Sequence, residues 1–137
     1  MEGKKYAVDI PKGNGRENNR ARKKIIKDFY ASWIAEHPDK RVWNRALRAY
    51  IYVKYRSINE TSGQASMSFE STREIFKLTE ILAEASLVKT MPPKKGDENQ
   101  KPYSRIIIMR HKTALLVVGK QKTTGEYIQY CISSWIK

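Results

Sequence analysis

Arg110-His111-Lys112 is the run of side chains in this sequence best suited to moving a proton beside a phosphate. Imidazole has a reference pKa near neutrality, so His111 is the natural proton carrier, able to act as base or acid. Arg110 and Lys112 beside it, with Lys120 and Arg105 on adjoining predicted strands, can steady the charge that builds on a phosphodiester. Tyr127, Tyr130 and Ser134 fall near them in the pattern. These residue types suit metal-independent RNA cleavage, in which a base takes the 2′-hydroxyl proton and an acid protonates the leaving oxygen. The same tripeptide also reads as a hydrophilic hairpin turn and nothing more.

A second group is a binding constellation. Arg48, Tyr50, Tyr52, Lys54 and Arg56 alternate with Leu47, Ala49, Ile51, Val53 and Tyr55. On a strand, the first set shares one face. Rings among cations suit a single-stranded nucleic acid, because bases stack on the rings and phosphates meet the cations. A solvent face of β-favouring tyrosines, or a face covered by a helix, fits the alternation equally. Trp43, Tyr50 and Tyr52 can also be read as anchors for a protein partner.

Other chemistries find little support. The sequence contains no P-loop, dinucleotide glycine pattern, HExxH motif or nucleophile elbow. Two histidines and one cysteine make a transition-metal site unexpected, so neither metal nor cofactor is expected. Cys131 lies in a strand-like run and reads as a small buried hydrophobe. His37 stands just before Pro38, where a cation favours a helix C-terminus.

The net charge is +13 over 137 residues, and it is segregated. Residues 1–56 hold fifteen Lys/Arg against six Asp/Glu, 57–100 hold five against seven, and 101–137 hold seven against one. Such a distribution attracts polyanions. The apolar runs are far shorter than the roughly 20 residues that a membrane span takes, and no signal peptide is visible, so a cytoplasmic protein without membrane contact is expected.

The elements that must hold these groups follow from periodicity. One domain is expected over 1–137, with 1–15 as a leader, ordered or not. Ile25, Ile26, Phe29, Tyr30, Trp33 and Ile34 predict an amphipathic helix over 16–36. Ser71 to Glu74 matches a capping box and opens a helix over 71–86, where Glu80 and Glu84 read as solvated surface. Strands are expected at 43–56, 104–110, 113–120 and 126–133. Residues 57–70 and 89–103 read as loops. The sum is an α+β fold: a four-stranded, largely antiparallel sheet packed by two helices, with Trp135 and Ile136 closing the core edge.

The segment Ser57-Ile58-Asn59-Glu60-Thr61, the helix Ser71 to Ser86, Leu115-Leu116-Val117-Val118-Gly119 and Tyr127-Ile128-Gln129-Tyr130-Cys131-Ile132 carry a resemblance. Over roughly residues 50–135 the chain resembles small phage and mobile-element domains of polyvalent and toxin-like proteins. These are similar to the barnase–EndoU–colicin–RelE superfamily of metal-independent ribonucleases. The resemblance implies helices on a four-stranded antiparallel sheet, RNA as the substrate class and a neutralising acidic protein as a possible partner. The expected function is a ribonuclease-like toxin or effector, with a non-catalytic nucleic-acid-binding module and a protein adaptor as alternatives.

Overall fold

The computed structural model describes residues 9–135. They form an α+β fold whose six strands make one mixed sheet. Helix α1 spans Arg16–Glu36, β1 Arg41–Asn44, β2 Ala49–Tyr52 and α2 Tyr55–Ala65. Then come α3, Phe69–Glu74, a 3-10 turn at Ile75–Lys77, and α4, Leu78–Glu84. Strands β3 (Ser86–Met91), β4 (Tyr103–His111), β5 (Ala114–Gln121) and β6 (Tyr127–Ser134) complete the chain, and the strand order is β1-β2-β6-β5-β4-β3. All pairings are antiparallel except β2 with β6. No helix among the described residues is long and apolar enough to cross a membrane.

The main core lies between the helices and one face of the sheet. Ile26, Tyr30 and Trp33 of α1 meet Ile75, Leu78, Ile81 and Leu82, and beneath them Ile51, Ile107, Met109, Leu116, Val118 and Ile132 of the strands. Helix α1 begins and ends as its periodicity predicts, and His37 caps its end, stacked on Trp33 with ring centroids 4.2 Å apart. Two polar knots run through this core. Tyr30 donates to Gln129 Oε1 at 2.8 Å, and Gln129 Nε2 donates to Thr61 at 2.7 Å. Arg22, fully buried, donates to the carbonyls of Ser66, Pro11 and Gly13 and so ties residues 11 and 13 to the helices. The remaining leader residues before Asp9, with the edge strand considered at Tyr6-Ala7-Val8, lie outside the described residues, as does Ile136.

The three C-terminal strands fall within a residue of their expected limits, while four other expectations are corrected. Residues 43–56 are not one strand. Asn44 is buried and accepts from Leu47 N at 2.8 Å, while its amide donates to the Leu82 and Ala85 carbonyls at the end of α4. That side chain folds the segment into a hairpin, with Arg48 in the turn at a φ of 53°. Residues 55–65 are a helix rather than a loop. β2 pairs with only two residues of β6, and α2 lies along the rest of that strand, burying small residues Ser57, Thr61, Ser62 and Ala65. The helix expected over 71–86 is three short pieces capped by Ser68, which accepts from Ser71 N, and Glu74 is buried against Thr113 instead of capping. Residues 86–91 form an edge strand, so the sheet has six strands rather than four.

Candidate functional site

The predicted catalytic trio does not converge. Opposed residues in an antiparallel ladder share a face. His111 pairs with Ala114 and lies on the helix side, whereas Arg110 pairs with Leu115 and points to the other face. There the Arg110 guanidinium sits 4.6 Å from the centre of the Trp135 ring, and its Nε donates to the Lys112 carbonyl. Trp135 is exposed rather than closing the core edge. Lys112 occupies the β4–β5 turn with a φ of 53°.

On the helix side, His111 Nε2 lies 2.5 Å from Glu80 Oε2, and Lys112 Nζ lies 3.4 Å from the same oxygen. Glu80 is therefore the hub of a small charged cluster, not an unmatched surface residue. The His111 hydrogen bond, with Lys112 adding to it, holds the Glu80 carboxyl below the usual carboxylate range. The neighbouring Glu74 is buried, accepts from Thr113, and keeps Oε1 without a hydrogen-bond partner, with Lys77 Nζ at 3.9 Å. Sequence periodicity hid these contacts, because Glu80 meets His111, and Glu74 meets Thr113, only when the β4–β5 hairpin packs beside α3 and α4. Glu84 is matched too, by Arg45 at 2.9 Å.

Glu80 also closes one end of a groove of about 920 Å³ between α1 and the α3–α4 segment, lined by residues including Phe29, Trp33, His37, Phe69, Arg73 and Phe76. The Trp33 indole donates to Thr79 at 2.9 Å, and His37 Nδ1 lies 2.9 Å from the Trp33 carbonyl. Phe69 carries two cations near its ring, Lys12 and Arg73, each at 5.2 Å.

The second face of the sheet is different in kind. No helical residue joins its cluster, which consists of Tyr103, Ile106 and Ile128, edged by Tyr52, Ile108, Val117 and Tyr130. Tyr103 lies flat on Gly119, where a Cβ would stand 2.6 Å from the ring. Glycine in this strand is thus the residue that lets an aromatic ring lie on the backbone. At the β1–β2 corner, Trp43 and Tyr50 meet edge to face at 5.2 Å, and Trp43 is 49% exposed. The Arg41 guanidinium covers the Tyr50 ring at 3.9 Å and donates to the Tyr52 hydroxyl at 3.3 Å. Lys54 approaches Tyr52 at 5.8 Å and pairs with Glu126 at 3.0 Å. Arg41, Trp43, Tyr50, Tyr52, Lys89, Arg110 and Leu115 share this face by register, and none is acidic.

The other predicted binding residues are dispersed. Arg48 is exposed in the hairpin turn, and Lys54 stands at the N-cap of α2. Arg56, in the first turn of α2, lines a cavity of about 290 Å³ with Tyr55, Asn59, Glu60, Asn99 and Tyr130. Burial, with the Glu60 charge adding, raises the Tyr130 phenol above its ordinary range. Arg105 and Lys120 are paired on the helix side of the sheet, and Lys120 lies 5.7 Å from the Tyr127 ring centre. The Ser134 amide donates to Ser71. Burial pushes the Cys131 thiol up to about 12, which suits packing and not nucleophilic attack. Among the described residues, no three His, Cys, Asp or Glu side chains gather as a metal site.

Sequence reasoning missed Arg41 and the role of Trp43 in this corner. The signal was available: Arg41-Val42-Trp43-Asn44 is itself a short alternating run ending on a turn-forming asparagine. Compared with known proteins, the chain matches no family model, no curated protein and no solved structure.

Proposed function

We propose that this protein binds single-stranded nucleic acid, RNA in the first instance, on the helix-free side of its sheet, at the exposed β1–β2 corner. The observation that carries the reading is the corner of exposed Trp43 and Tyr50 with Arg41 over the ring, on strands that contain no carboxylate. Rings accept bases by stacking, whatever the base, and the neighbouring cations meet phosphates. Arg110 and Trp135 repeat the combination on β4 and the end of β6. β1 and β4 are four spacings apart in the strand order, about 19 Å at ~4.8 Å per strand, which leaves room for several nucleotides between the two groups. The net charge of +13 supplies attraction at long range.

A second reading is favoured by the Glu80–His111 pair: metal-independent RNA cleavage, as the resemblance to the ribonuclease superfamily implies. Here His111, oriented by Glu80, moves the proton and Lys112 steadies phosphate, while Arg110 acts on the opposite face in binding. One experiment separates the readings. Labelled single-stranded RNA is titrated with the protein in EDTA at several salt concentrations, and the RNA is then run on a gel. Steeply salt-dependent binding with intact RNA supports the binding module. Fragments that vanish with His111→Ala support cleavage, and absence of binding sinks both.

A further inference from the structure

Among the described residues, β3, Ser86–Met91, is the terminal strand of the sheet, with β4 as its one neighbour. All six of its residues are exposed, with Leu87 at 53% and Val88 at 47%. A row of unpaired amides and carbonyls carrying apolar side chains is the arrangement that adds another strand. The usual protections are slight here. Pro92 and Pro93 follow the strand instead of interrupting it, and Lys89 is its single charge. A bulge at Val88 shifts the register without ending the pairing. β1, at the opposite edge, is shorter and anchored through buried Asn44.

Charge decides what fits. Residues 86–96 hold Lys89, Lys94 and Lys95 and no carboxylate. A second copy would bring like cations together in a chain already at +13, which opposes self-pairing. A nucleic acid lacks the alternating amides and carbonyls that continue a ladder. We propose that β3 takes up an extended, acidic segment of a partner protein as one more strand of the sheet. Main-chain hydrogen bonds give affinity, Leu87 on the helix side packs against one set of alternate side chains of the added strand, and Lys89 on the other face, with Lys94 and Lys95 beyond the strand, selects carboxylates in the other set. This inference does not depend on the nucleic-acid reading, since it rests on the sheet's edge, even though Lys89 lies on the face that reading uses.

The test is hydrogen exchange on the full chain with two probes: a short end-capped peptide alternating valine and glutamate, and its lysine counterpart. The glutamate peptide is expected to slow exchange across 86–91, with the lysine peptide at least about tenfold weaker. Val88→Pro should abolish the protection. Val88 stands in the bulge without a β4 partner, so proline there spares the existing ladder. Lys89→Glu, an exposed change that leaves packing intact, should weaken the glutamate peptide about fivefold. The proposal is overturned by unprotected 86–91 at millimolar glutamate peptide, or by equal protection from the lysine peptide. Protection that rises with protein concentration alone, which would mean a second copy, also overturns it, and so does protection by single-stranded RNA.

Discussion

The outer ridge of α1 and the open face of the sheet present cations on opposite sides of one core, and only the sheet pairs them with exposed rings. On α1, Arg16, Arg20, Lys23, Lys24 and Lys27 recur at helical spacing and are all exposed, while Tyr30 and Trp33 of the same helix are buried. At the β1–β2 corner the aromatic residues face outward and Arg41 lies on one of them. The contrast comes from periodicity. A 3.6-residue repeat sends α1's rings to the core and its cations to solvent, whereas the two-residue repeat of β1 and β2 turns Trp43 and Tyr50 away from the helices at the sheet's corner, where both are exposed, while Tyr103 farther along the same face is buried. A ridge of cations alone reads charge; cations among rings read charge and unstacked bases together.

The largest expected effect follows from removing the rings. Trp43→Ala with Tyr50→Ala should weaken single-stranded RNA binding by about 2–6 kcal/mol, from ~1–3 kcal/mol per stacked base, and leave duplex binding nearly unchanged. Fluorescence anisotropy with both nucleic acids measures this. Equal losses on single strand and duplex would mean that the rings do not stack on bases, and the distinction between the two surfaces would collapse.

Two variants of α1 sharpen the comparison from the other side. Arg22→Ala removes a buried guanidinium that serves the Ser66, Pro11 and Gly13 carbonyls, and should cost about 2–4 kcal/mol in urea unfolding with little change in affinity. Lys23→Gln with Lys27→Gln should leave stability unchanged. It should lower affinity severalfold for single strand and duplex alike, and reduce the salt slope by about 0.7–0.9 per lost phosphate contact. If the ridge variant leaves the slope untouched, α1 is a solvated face and the sheet carries the binding alone.

How much of this could be read beforehand depended on the range of the forces involved. α1 and β4 to β6 were legible because each buries a regular apolar stripe: Ile26, Tyr30 and Trp33 on the helix, Leu116, Val118 and Ile132 on the strands. α2 was not, because it packs through Ser57, Thr61 and Ala65 and shows no apolar stripe. β3 was not, because an edge strand exposed on all its residues has no burial pattern to display. At the site, Tyr50 and Tyr52 fell on one face as the alternation suggested, but Arg48, Lys54 and Arg56 were drawn away by the Asn44 turn and the start of α2. Arg110, His111 and Lys112 are neighbours in sequence, and strand alternation is the reason that Arg110 and His111 point apart.

The smallest effect concerns Glu80, and it tests whether the helix side holds anything beyond structure. Its folded pKa lies below its ordinary value of about 4.3, chiefly through the His111 hydrogen bond. A carboxyl depressed in the folded state stabilises the fold fully above its unfolded pKa, and that stabilisation disappears as pH falls through the folded one. The side chain is 45% exposed, so the contribution is screened and should be about 0.2–1 kcal/mol. Glu80→Gln should therefore unfold slightly earlier than the unaltered protein at pH 6, with the gap closing toward pH 3. If His111→Ala removes the same gap, the two groups act as one pair. A gap that persists unchanged to pH 3 would show that the carboxylate charge is irrelevant, leaving His111 without an orienting partner and the cleavage reading without its proton relay.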